Sequence, residues 1–418
     1  MRRPFPWGRV VPVARAPLRS ADVVGAFFEA LSSRRVHLAE RLRQALGEAM
    51  EWDGTLVLGT SARALISRCL AGLARQTGTR RVIVPAFGCR AVRQAVAEAD
   101  CEPVACDLDA ATGGIDPSAL ARALREPAAA VVLVPLFGVA GTLTACSEIA
   151  QRAGVPTVVD GAQAFCPQLP PLVPHARAHV FSFAPGKHVP LFSGGMALYP
   201  GGADEPFADQ ADGRTDPGPP AEMDATSVSS AAGALAAAMQ ALLYALLWRP
   251  RAHRALVAMV ARRARDEGPG TRHLWAFSAA LGLRLLPLLK ADRDRRHENE
   301  RLYRRLLAGW TEGTTRPGSS RGAAHRSVQL ACGESPALPL LRFPILLPEG
   351  TARERLIVRL WQQGFWVSET NYGLDGDQEA FPGAWDYRRR LLTLPVHAGM
   401  GSEDIHRLVD LLCSEVMR

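Results

Sequence analysis

The stretch AVVLVPLFGVAGTLTACSEIAQRAGVPTVVDGAQA, residues 130–164, decides the fold class. It opens with the continuous apolar run AVVLVPLF at 130–137 and ends in a second run, PTVVD, at 156–160. Between them, CSEIAQRAG has the pattern of a helix. Strands buried on both faces read as continuous apolar runs, and the helices between them connect parallel neighbours. We therefore predict two parallel strands joined by a helix.

The same alternation extends in both directions from this unit. Further apolar runs are LVL at 56–58, VIVP at 82–85, PVAC at 103–106 and HVFSF at 179–183. The stretches SARALISRCLAGLARQ and RAVRQAVAEAD, which lie between such runs, are typical of helices. This order predicts an α/β domain with a largely parallel sheet. Ligands of such sheets bind at the carboxyl ends of strands, so the residues after each run are the functional candidates.

The rest of the chain predicts a second, smaller unit. Residues 201–224 are rich in Gly, Pro and Asp and indicate a loop, and apolar helices follow over about 227–289. A long surface helix is expected at 291–310, where leucines form one apolar face of a charged run. After it we expect a strand, a helix, a strand and a closing helix, in LLRFPILLP, TARERLIVRLWQQG, FWVSE and SEDIHRLVDLLCSEV. The predicted divisions are 1–240, 241–289 and 290–418.

Composition excludes several classes of protein. Apolar residues make up 48% and charged residues 22% of the chain, as in globular proteins. The net charge of +8 is spread along the sequence without a recognition motif, so we expect no nucleic-acid partner. Eight cysteines include no C-x-x-C pair and no His cluster at zinc-finger spacing, which predicts a reduced, cytoplasmic protein without a metal site. The N-terminal residues contain no continuous apolar segment that ends in a small-residue cleavage site, so we expect no secretion.

Lysine is unusually rare in this sequence. All but two of the 49 basic residues are arginine, and the exceptions are Lys187 and Lys290. An amine nucleophile must be lysine, because arginine stays protonated. Lys187 follows the HVFSF strand in FSFAPGK, whereas Lys290 ends the helical run LLPLLK. Position therefore favours Lys187 as the functional lysine, with a plain surface lysine as the alternative.

Two further groups of polar residues stand at predicted strand ends. Asp160 closes PTVVD, where a carboxylate is costly to bury unless it meets a cation such as a protonated pyridine nitrogen. Its alternative role is a helix N-cap, and Gln163 would then be a first-turn helix residue. In LVLGTSARAL, Thr60 and Ser61 begin a helix, where backbone N–H groups and hydroxyls can hold a phosphate. Ser182 could contribute a third hydroxyl to the same site. The alternative for Thr60 or Ser61 is ordinary helix N-capping, and the alternative for Ser182 is a buried strand serine bonded to the backbone.

In combination, the GTS tripeptide between strand and helix, PTVVDGAQA and FSFAPGK resemble the DegT/DnrJ/EryC1/StrS family of pyridoxal-phosphate-dependent sugar aminotransferases. The blocks at 80–124 and 128–164 are similar to successive strand and helix segments of that family, and LLTLPVHAGMGSEDIHRLVDLL at 391–412 resembles its C-terminal ending. The resemblance implies fold type I, an α/β fold whose large domain has a mostly parallel seven-stranded sheet beside a smaller C-terminal α+β domain. It also implies pyridoxal 5'-phosphate as cofactor.

The resemblance assigns roles to single residues. Lys187 matches the lysine that forms the internal aldimine and later shuttles a proton; a lysine here favours transamination over the family's dehydratase branch. Asp160 matches the partner of the pyridine nitrogen, Gln163 the side chain near the phenolic oxygen, and Cys89 the position from which an aromatic ring usually stacks on the cofactor. The residues that match phosphate ligands are Thr60, Ser61 and Ser182.

Two other segments depart from the family pattern. The segment DATSVSSAAGALAAA at 224–238 lacks the asparagine that reaches the neighbouring subunit's phosphate in the family. Residues 241–289 look like an apolar helical insertion, in which Trp248 and Trp275 stand near clusters of arginine. Such a pair of helices could lie on an anionic membrane. The alternative is that the insertion adds core or dimer-interface packing.

The resemblance implies an enzyme that aminates a keto sugar, nucleotide-linked, with a glutamate-like amino-acid donor. It also implies a homodimer with active sites at the interface between the subunits. We expect this dimer in the cytoplasm, or bound peripherally to the inner face of the membrane through residues 241–289. A non-sugar ketone or cyclitol is an alternative substrate. A catalytically altered regulator or membrane-associated assembly factor is the alternative outside catalysis. The loops around Asn371, Tyr372 and His397 are candidates for substrate contact, but their residue types identify no sugar.

Overall fold

A computed structural model describes most of the chain. The residues described are 11–15, 17–32, 37–166, 173–201, 235, 238–242, 276–311, 327–332, 338–367 and 372–416. The predicted loop at 201–224 lies outside these ranges after residue 201, as do Trp248, Trp275 and Asn371.

Strands and helices alternate through the first half of the described chain. The strands are β1 (Thr55–Gly59), β2 (Arg81–Pro85), β3 (Phe87–Gly88), β4 (Glu102–Cys106), β5 (Ala130–Leu133), β6 (Thr157–Asp160), β7 (Ala178–Ser182), β8 (Gly195–Tyr199), β9 (Gln329–Leu330), β10 (Phe343–Leu346), β11 (Gly373–Leu374) and β12 (Leu391–Leu394). The α-helices are α1 (Ser20–Leu31), α2 (Leu38–Met50), α3 (Ala62–Thr77), α4 (Arg90–Glu98), α5 (Pro117–Ala123), α6 (Leu143–Arg152), α7 (Ala276–Leu285), α8 (Leu289–Thr311), α9 (Arg353–Gln362), α10 (Pro382–Arg390) and α11 (Ser402–Val416).

Seven strands form the large sheet in the order β1-β8-β7-β6-β5-β2-β4. The strands from β7 to β4 are parallel to their neighbours, and β8 runs antiparallel to both β7 and β1. The prediction of a mostly parallel seven-stranded sheet is thereby confirmed. The apolar runs predicted as strands supply β1, β2, β4, β5, β6 and β7.

Two sequence predictions of strands need correction. The run AVVLVPLF is longer than its strand, because β5 ends at Leu133 and Leu136–Gly138 form a 3-10 turn. Phe137 in that turn has a φ of 59°, which no strand residue adopts. FWVSE does not form the predicted strand within the described residues. Phe365 makes an isolated bridge to Val11, and Ser368 and Glu369 lie outside the described ranges.

Helix α3 begins and ends where its sequence dictates. The N–H of Ala64 donates a 3.1 Å hydrogen bond to the Oγ of Ser61, which is the N-cap. At the other end Gly78 has a φ of 69°, a conformation that glycine adopts without a steric penalty. Its N–H donates to the carbonyl of Ala74. These caps fix the helix N-terminus directly after β1.

The C-terminal part of the chain builds a separate small sheet. Its strands run in the order β12-β10-β9, all antiparallel, and helices α8, α9 and α11 contribute side chains to the same apolar cluster. Strand β11 does not join this sheet; it pairs with β3 in the first half of the chain. This pairing brings a C-terminal loop next to the large sheet.

Part of the predicted insertion is buried in the protein. Helix α7 packs against α1 and α2, and Phe277, Leu281 and Leu285 are fully buried there. Residues 276–289 therefore add core packing, which was the alternative to membrane contact for this part of 241–289. Among the helices described, none is long and apolar enough to cross a membrane. Residues 243–275 lie outside the described ranges.

A buried ion pair ties α8 to the rest of the fold. Arg296 Nε donates a 2.6 Å hydrogen bond to Asp292, and both side chains are less than 5% exposed. The same guanidinium donates to the carbonyls of Leu340 and Arg15 at 3.3 and 3.0 Å. One guanidinium thus bonds acceptors from three parts of the chain. Its removal would leave the Asp292 carboxylate buried without its cationic partner.

We predict that Arg296→Met destabilises the protein by about 3–5 kcal/mol, the usual cost of breaking a buried pair from one side. The matched control is Arg295→Met one residue earlier, where the ion pair with Glu298 is about half exposed and contributes about 0–1 kcal/mol. Urea denaturation of both variants measures the difference. Equal losses of unfolding free energy would contradict the role given to the buried pair.

Candidate active site

The predicted site residues gather at one edge of the large sheet. Asp160 is the last residue of β6 and Ser182 the last of β7, and these strands are parallel neighbours. Across the antiparallel pairs, Ser182 lies opposite Gly195 and Gly195 opposite Gly59. The register therefore places the start of the GTS segment, Ser182 and Asp160 along the same edge.

The hydroxyl residues surround the N-terminus of α3. The Oγ atoms of Ser61 and Ser182 each accept a backbone hydrogen bond, from Ala64 at 3.1 Å and Ala184 at 3.3 Å. Ser61 thus caps the helix, as its alternative interpretation stated, yet a hydroxyl that accepts one bond still has a proton to donate. The carbonyl of Thr60 accepts from the N–H of Gly194 at 3.1 Å.

Gly195 explains why these segments can meet so closely. A Cβ atom at Gly195 would lie 2.6 Å from the nitrogen of Ala62 and 2.7 Å from the carbonyl oxygen of Phe181. Neither neighbour is a flexible side chain, so only glycine fits between β7 and the start of α3. The result is a helix N-terminus at Thr60 and Ser61 with Ser182 on a nearby strand end, which is a favourable place for a phosphate.

Asp160 is a buried carboxylate with few partners. It is 6% exposed, and its Oδ1 accepts a 3.0 Å hydrogen bond from the N–H of Ala162. No helix starts here, so the predicted N-cap alternative is wrong; the carboxylate closes a turn instead. Burial raises its pKa, while the Ala162 bond and the charge of Lys187 lower it. A buried carboxylate of this kind is energetically costly unless a cation lies close to it.

Gln163 lies in the same turn and reaches two other parts of the chain. Its Oε1 accepts from the N–H of Phe137 at 3.3 Å, and its Nε2 donates to the hydroxyl of Tyr372 at 2.6 Å. The side chain is 5% exposed. Because residues 161–166 are not helical, the alternative of a plain first-turn helix residue is wrong.

Lys187 is partly buried beside several charged or polar groups. Burial lowers the pKa of its amine, Cys89 and Asp160 act in the opposite direction, and the guanidinium of Arg342 lowers it further. Cys89, at the position where the family pattern has an aromatic ring, is the N-cap of α4 directly after β3. The structure therefore brings Lys187, Asp160 and Cys89 together, whereas Lys290 is exposed on α8.

Sequence reasoning missed two members of this site. Arg342 precedes β10 in the C-terminal part, and Phe137 occupies the turn after β5. The sequence around these two residues does not indicate a functional role, since an arginine before a strand and a phenylalanine in an apolar run are both common. Tyr372, a candidate for substrate contact, does lie here. His397 is instead buried and its Nε2 lies 3.0 Å from the carbonyl oxygen of Pro12.

The donor set fits pyridoxal phosphate. The amine of Lys187, with a lowered pKa, suits an aldehyde, and Asp160 offers a buried carboxylate that needs a cation such as a protonated ring nitrogen. The N-terminus of α3 with its hydroxyl residues suits a doubly charged phosphate. These three features lie at the carboxyl ends of β1, β6 and β7, as ligand sites in open α/β sheets do.

Comparison with protein families agrees with this interpretation. The family model for the DegT/DnrJ/EryC1/StrS aminotransferase family matches residues 33–210 and 257–413. Residues 211–256 between the two matched segments overlap the start of the predicted insertion at 241–289. Together the matched segments cover most of the chain and include every predicted site residue.

Curated relatives match over shorter segments. The L-glutamine:2-deoxy-scyllo-inosose aminotransferase of Streptomyces lividus is 30% identical over 164 residues, which cover 39% of this chain and 38% of that protein. The UDP-2-acetamido-2-deoxy-3-oxo-D-glucuronate aminotransferase of Pseudomonas aeruginosa is 34% identical over 84 residues, 20% of this chain and 23% of that protein. The matches thus span less than half the length of either relative.

The fold is similar to solved structures over nearly the whole chain. PseC of Helicobacter pylori, an aminotransferase involved in the biosynthesis of pseudoaminic acid, superposes with a TM-score of 0.65. The similarity covers 98% of this chain and 100% of that one at 14% sequence identity. The predicted fold type I architecture is thereby confirmed.

We predict that the amine of Lys187 reacts at lower pH than an ordinary lysine. A lowered pKa leaves the amine neutral, and hence nucleophilic, at a pH where a free lysine side chain is still protonated. In cofactor-free Lys290→Arg protein, Lys187 is the one remaining lysine. Reductive methylation at a series of pH values, read by peptide mass spectrometry, should give a midpoint below that of N-acetyl-lysine amide. A midpoint at or above the free value would contradict the lowered pKa.

Proposed function

Because the chain belongs to the DegT/DnrJ/EryC1/StrS aminotransferase family, we propose that it transfers an amino group from an amino acid such as glutamate to a ring ketone. Pyridoxal 5'-phosphate is the cofactor of this family. The observation that carries the proposal is the partly buried Lys187 amine beside the buried Asp160 carboxylate at the carboxyl ends of β6 and β7.

When bound, pyridoxal phosphate would serve as an electron sink that stabilises the electron pair left on the substrate carbon when its proton is removed. Asp160 holds the ring nitrogen protonated, because a cation relieves the cost of burying its carboxylate. Lys187 offers a neutral amine to the aldehyde and then acts as general acid and base at the substrate carbon. Its lowered pKa suits this task, since a permanently charged ammonium could not accept a proton.

The remaining predicted residues hold and orient the cofactor. Thr60, Ser61 and Ser182 bind the phosphate together with the positive end of the α3 dipole. Gln163 would bind near the phenolic oxygen. Cys89 would contact the ring over a smaller area than an aromatic side chain, so the ring's position would depend more on the groups at its edges.

We propose a keto sugar linked to a nucleotide as the amino acceptor. The match to an enzyme whose name specifies a UDP-linked 3-oxo sugar acid supports this class. Arg342 adds a cation beside Lys187, which suits an anionic substrate such as the carboxylate of the amino donor. The match to an inosose aminotransferase supports the alternative, a cyclitol ketone.

We also propose that the chain forms a homodimer in the cytoplasm, with active sites at the interface. Val24, Phe28 and Leu31 are more than 40% exposed and follow one another at helical spacing along α1, so an apolar stripe is available for a second copy. The eight cysteines, all within the described residues, form no disulfide, which is typical of a reducing compartment.

We predict that the cofactor is linked to Lys187. Borohydride treatment of cofactor-loaded protein should fix the cofactor to the peptide that contains Lys187, as located by mass spectrometry. Lys187→Ala should abolish both the fixed cofactor and turnover, since no other amine lies in the site among the described residues. The matched control is Lys290→Ala, which removes the other lysine and should retain both. Labelling of Lys290 in the wild-type protein would overturn the proposal.

We further predict which acceptor the loaded protein aminates. With glutamate as donor, a panel of keto-sugar nucleotides and the matching free keto sugars and cyclitol ketones is compared by mass spectrometry of the amine product. The proposal expects kcat/KM to be highest for a nucleotide-linked keto sugar. A preference for inosose-like ketones over every nucleotide sugar would instead assign the cyclitol class.

A further inference from the structure

Phe137 is held in a conformation that a bulky residue rarely adopts. Its φ is 59°, in the left-handed region that costs free energy for residues other than glycine. The carbonyl of Phe137 accepts from the N–H of Leu341 at 2.8 Å. The next residue, Gly138, has a φ of 92°, and a Cβ there would lie 2.9 Å from the carbonyl oxygen of Pro339. The surrounding chain thus maintains the strained turn, which is typical of functional sites.

The turn fixes the orientation of the Gln163 amide. A backbone N–H can only donate, so the side-chain atom that faces the N–H of Phe137 at 3.3 Å must be the carbonyl oxygen. The amide NH₂ then faces Tyr372 and must donate to its hydroxyl, at 2.6 Å. Tyr372 is therefore the acceptor in this bond, and its own hydroxyl proton is left to donate elsewhere.

The ring of Tyr372 is held from three directions. It stacks on Phe137 with ring centres 6.0 Å apart and meets the edge of Phe87 at 5.6 Å. The pairing of β11 with β3 begins at the next residue, and Arg93 Nε donates to the Asp375 carboxylate at 2.6 Å. A tyrosine from the C-terminal part of the chain is thus locked against the large sheet.

The hydroxyl of Tyr372 is bonded to Gln163 and lies within electrostatic range of the other site residues. Arg342, Cys89 and Asp160 are the charged or titratable groups that act on it besides Gln163. Burial raises the pKa of Tyr372 to about 12, so the hydroxyl keeps its proton at any working pH. Because this hydroxyl accepts from Gln163, its own proton remains available to donate to a ligand in the site.

We propose that Tyr372 binds the cofactor from the C-terminal part of the chain: it orients Gln163 by accepting from its amide and donates its hydroxyl proton to the phenolic oxygen of the pyridoxal ring. This inference rests on the proposed function. With Cys89 in place of a stacking ring, two donors on the phenolic oxygen, Gln163 and Tyr372, supply edge contacts that fix the ring in its plane. Neither a local motif nor the family pattern assigns this role to Tyr372.

The test is a pH titration of the visible absorption of cofactor-loaded protein. The phenolic oxygen shares a proton with the nitrogen that is bound to the lysine. A hydrogen-bond donor to that oxygen weakens its hold on the shared proton, so the nitrogen loses the proton at lower pH. Tyr372→Phe should therefore raise the titration midpoint by about one pH unit, the usual scale for a lost hydrogen bond to a charged group. A midpoint equal to that of the wild-type protein overturns the inference.

The matched control is Tyr387→Phe. Tyr387 belongs to the same aromatic cluster, with its ring 6.0 Å from Phe87, but its hydroxyl has no hydrogen-bond partner among the described residues. Removing this hydroxyl should leave the midpoint unchanged. An equal shift in both variants would mean that packing, and not the donor, sets the midpoint, and would also overturn the inference. Thermal unfolding of both cofactor-free variants shows whether the fold is retained.

A second substitution keeps the test decisive if Tyr372→Phe does not fold. Incorporating 3-fluorotyrosine at position 372 preserves the shape of the side chain and makes its hydroxyl a stronger donor. The midpoint should then move to lower pH, opposite to the effect of phenylalanine; no shift, or a shift upward, contradicts the proposal. A wild-type protein that binds pyridoxal phosphate without any visible band would refute the proposed function itself, and the inference with it.

Discussion

The site depends on the burial of one carboxylate, Asp160, near one amine, Lys187. Each group alone would be costly in this environment: burial raises the pKa of the acid and lowers that of the amine. The charge of Lys187 partly offsets the cost for Asp160, and a protonated ring nitrogen beside the carboxylate would offset it further. The parallel strands β6 and β7 set this arrangement, because they end side by side and the lysine follows the second strand within five residues.

Much of this arrangement could be predicted from sequence, because its signals are local. Continuous apolar runs marked the strands, Asp160 closed one of them, and the GTS segment stood between a strand and a helix. With two lysines in the chain, position alone separated Lys187 from Lys290. The predicted fold class and family are confirmed. The roles of single residues, including Cys89 and the phosphate ligands, stay predictions supported by their common location.

The parts that sequence could not supply depend on contacts between distant segments. Phe137 lies in a run that reads as strand, and the left-handed turn is imposed by Leu341 and Gly138. The role of Arg342 follows from the packing of the C-terminal part against the large sheet. Tyr372 was a candidate by its place in a loop, yet its bond to Gln163 joins residues 209 positions apart. Within its described residues the predicted strand at FWVSE is reduced to one isolated bridge, between Phe365 and Val11, which are far apart in sequence.

The most direct test of the account is a single half-reaction. Cofactor-loaded protein is mixed with glutamate and no acceptor, and its visible absorption and the released 2-oxoglutarate are followed together. If Lys187 and Asp160 work as described, the visible band disappears and about one keto acid is released per loaded site. A protein that carries the cofactor on Lys187 yet leaves its spectrum unchanged with glutamate, glutamine and other amino donors would contradict transamination and favour a binding protein that has kept the fold without turnover.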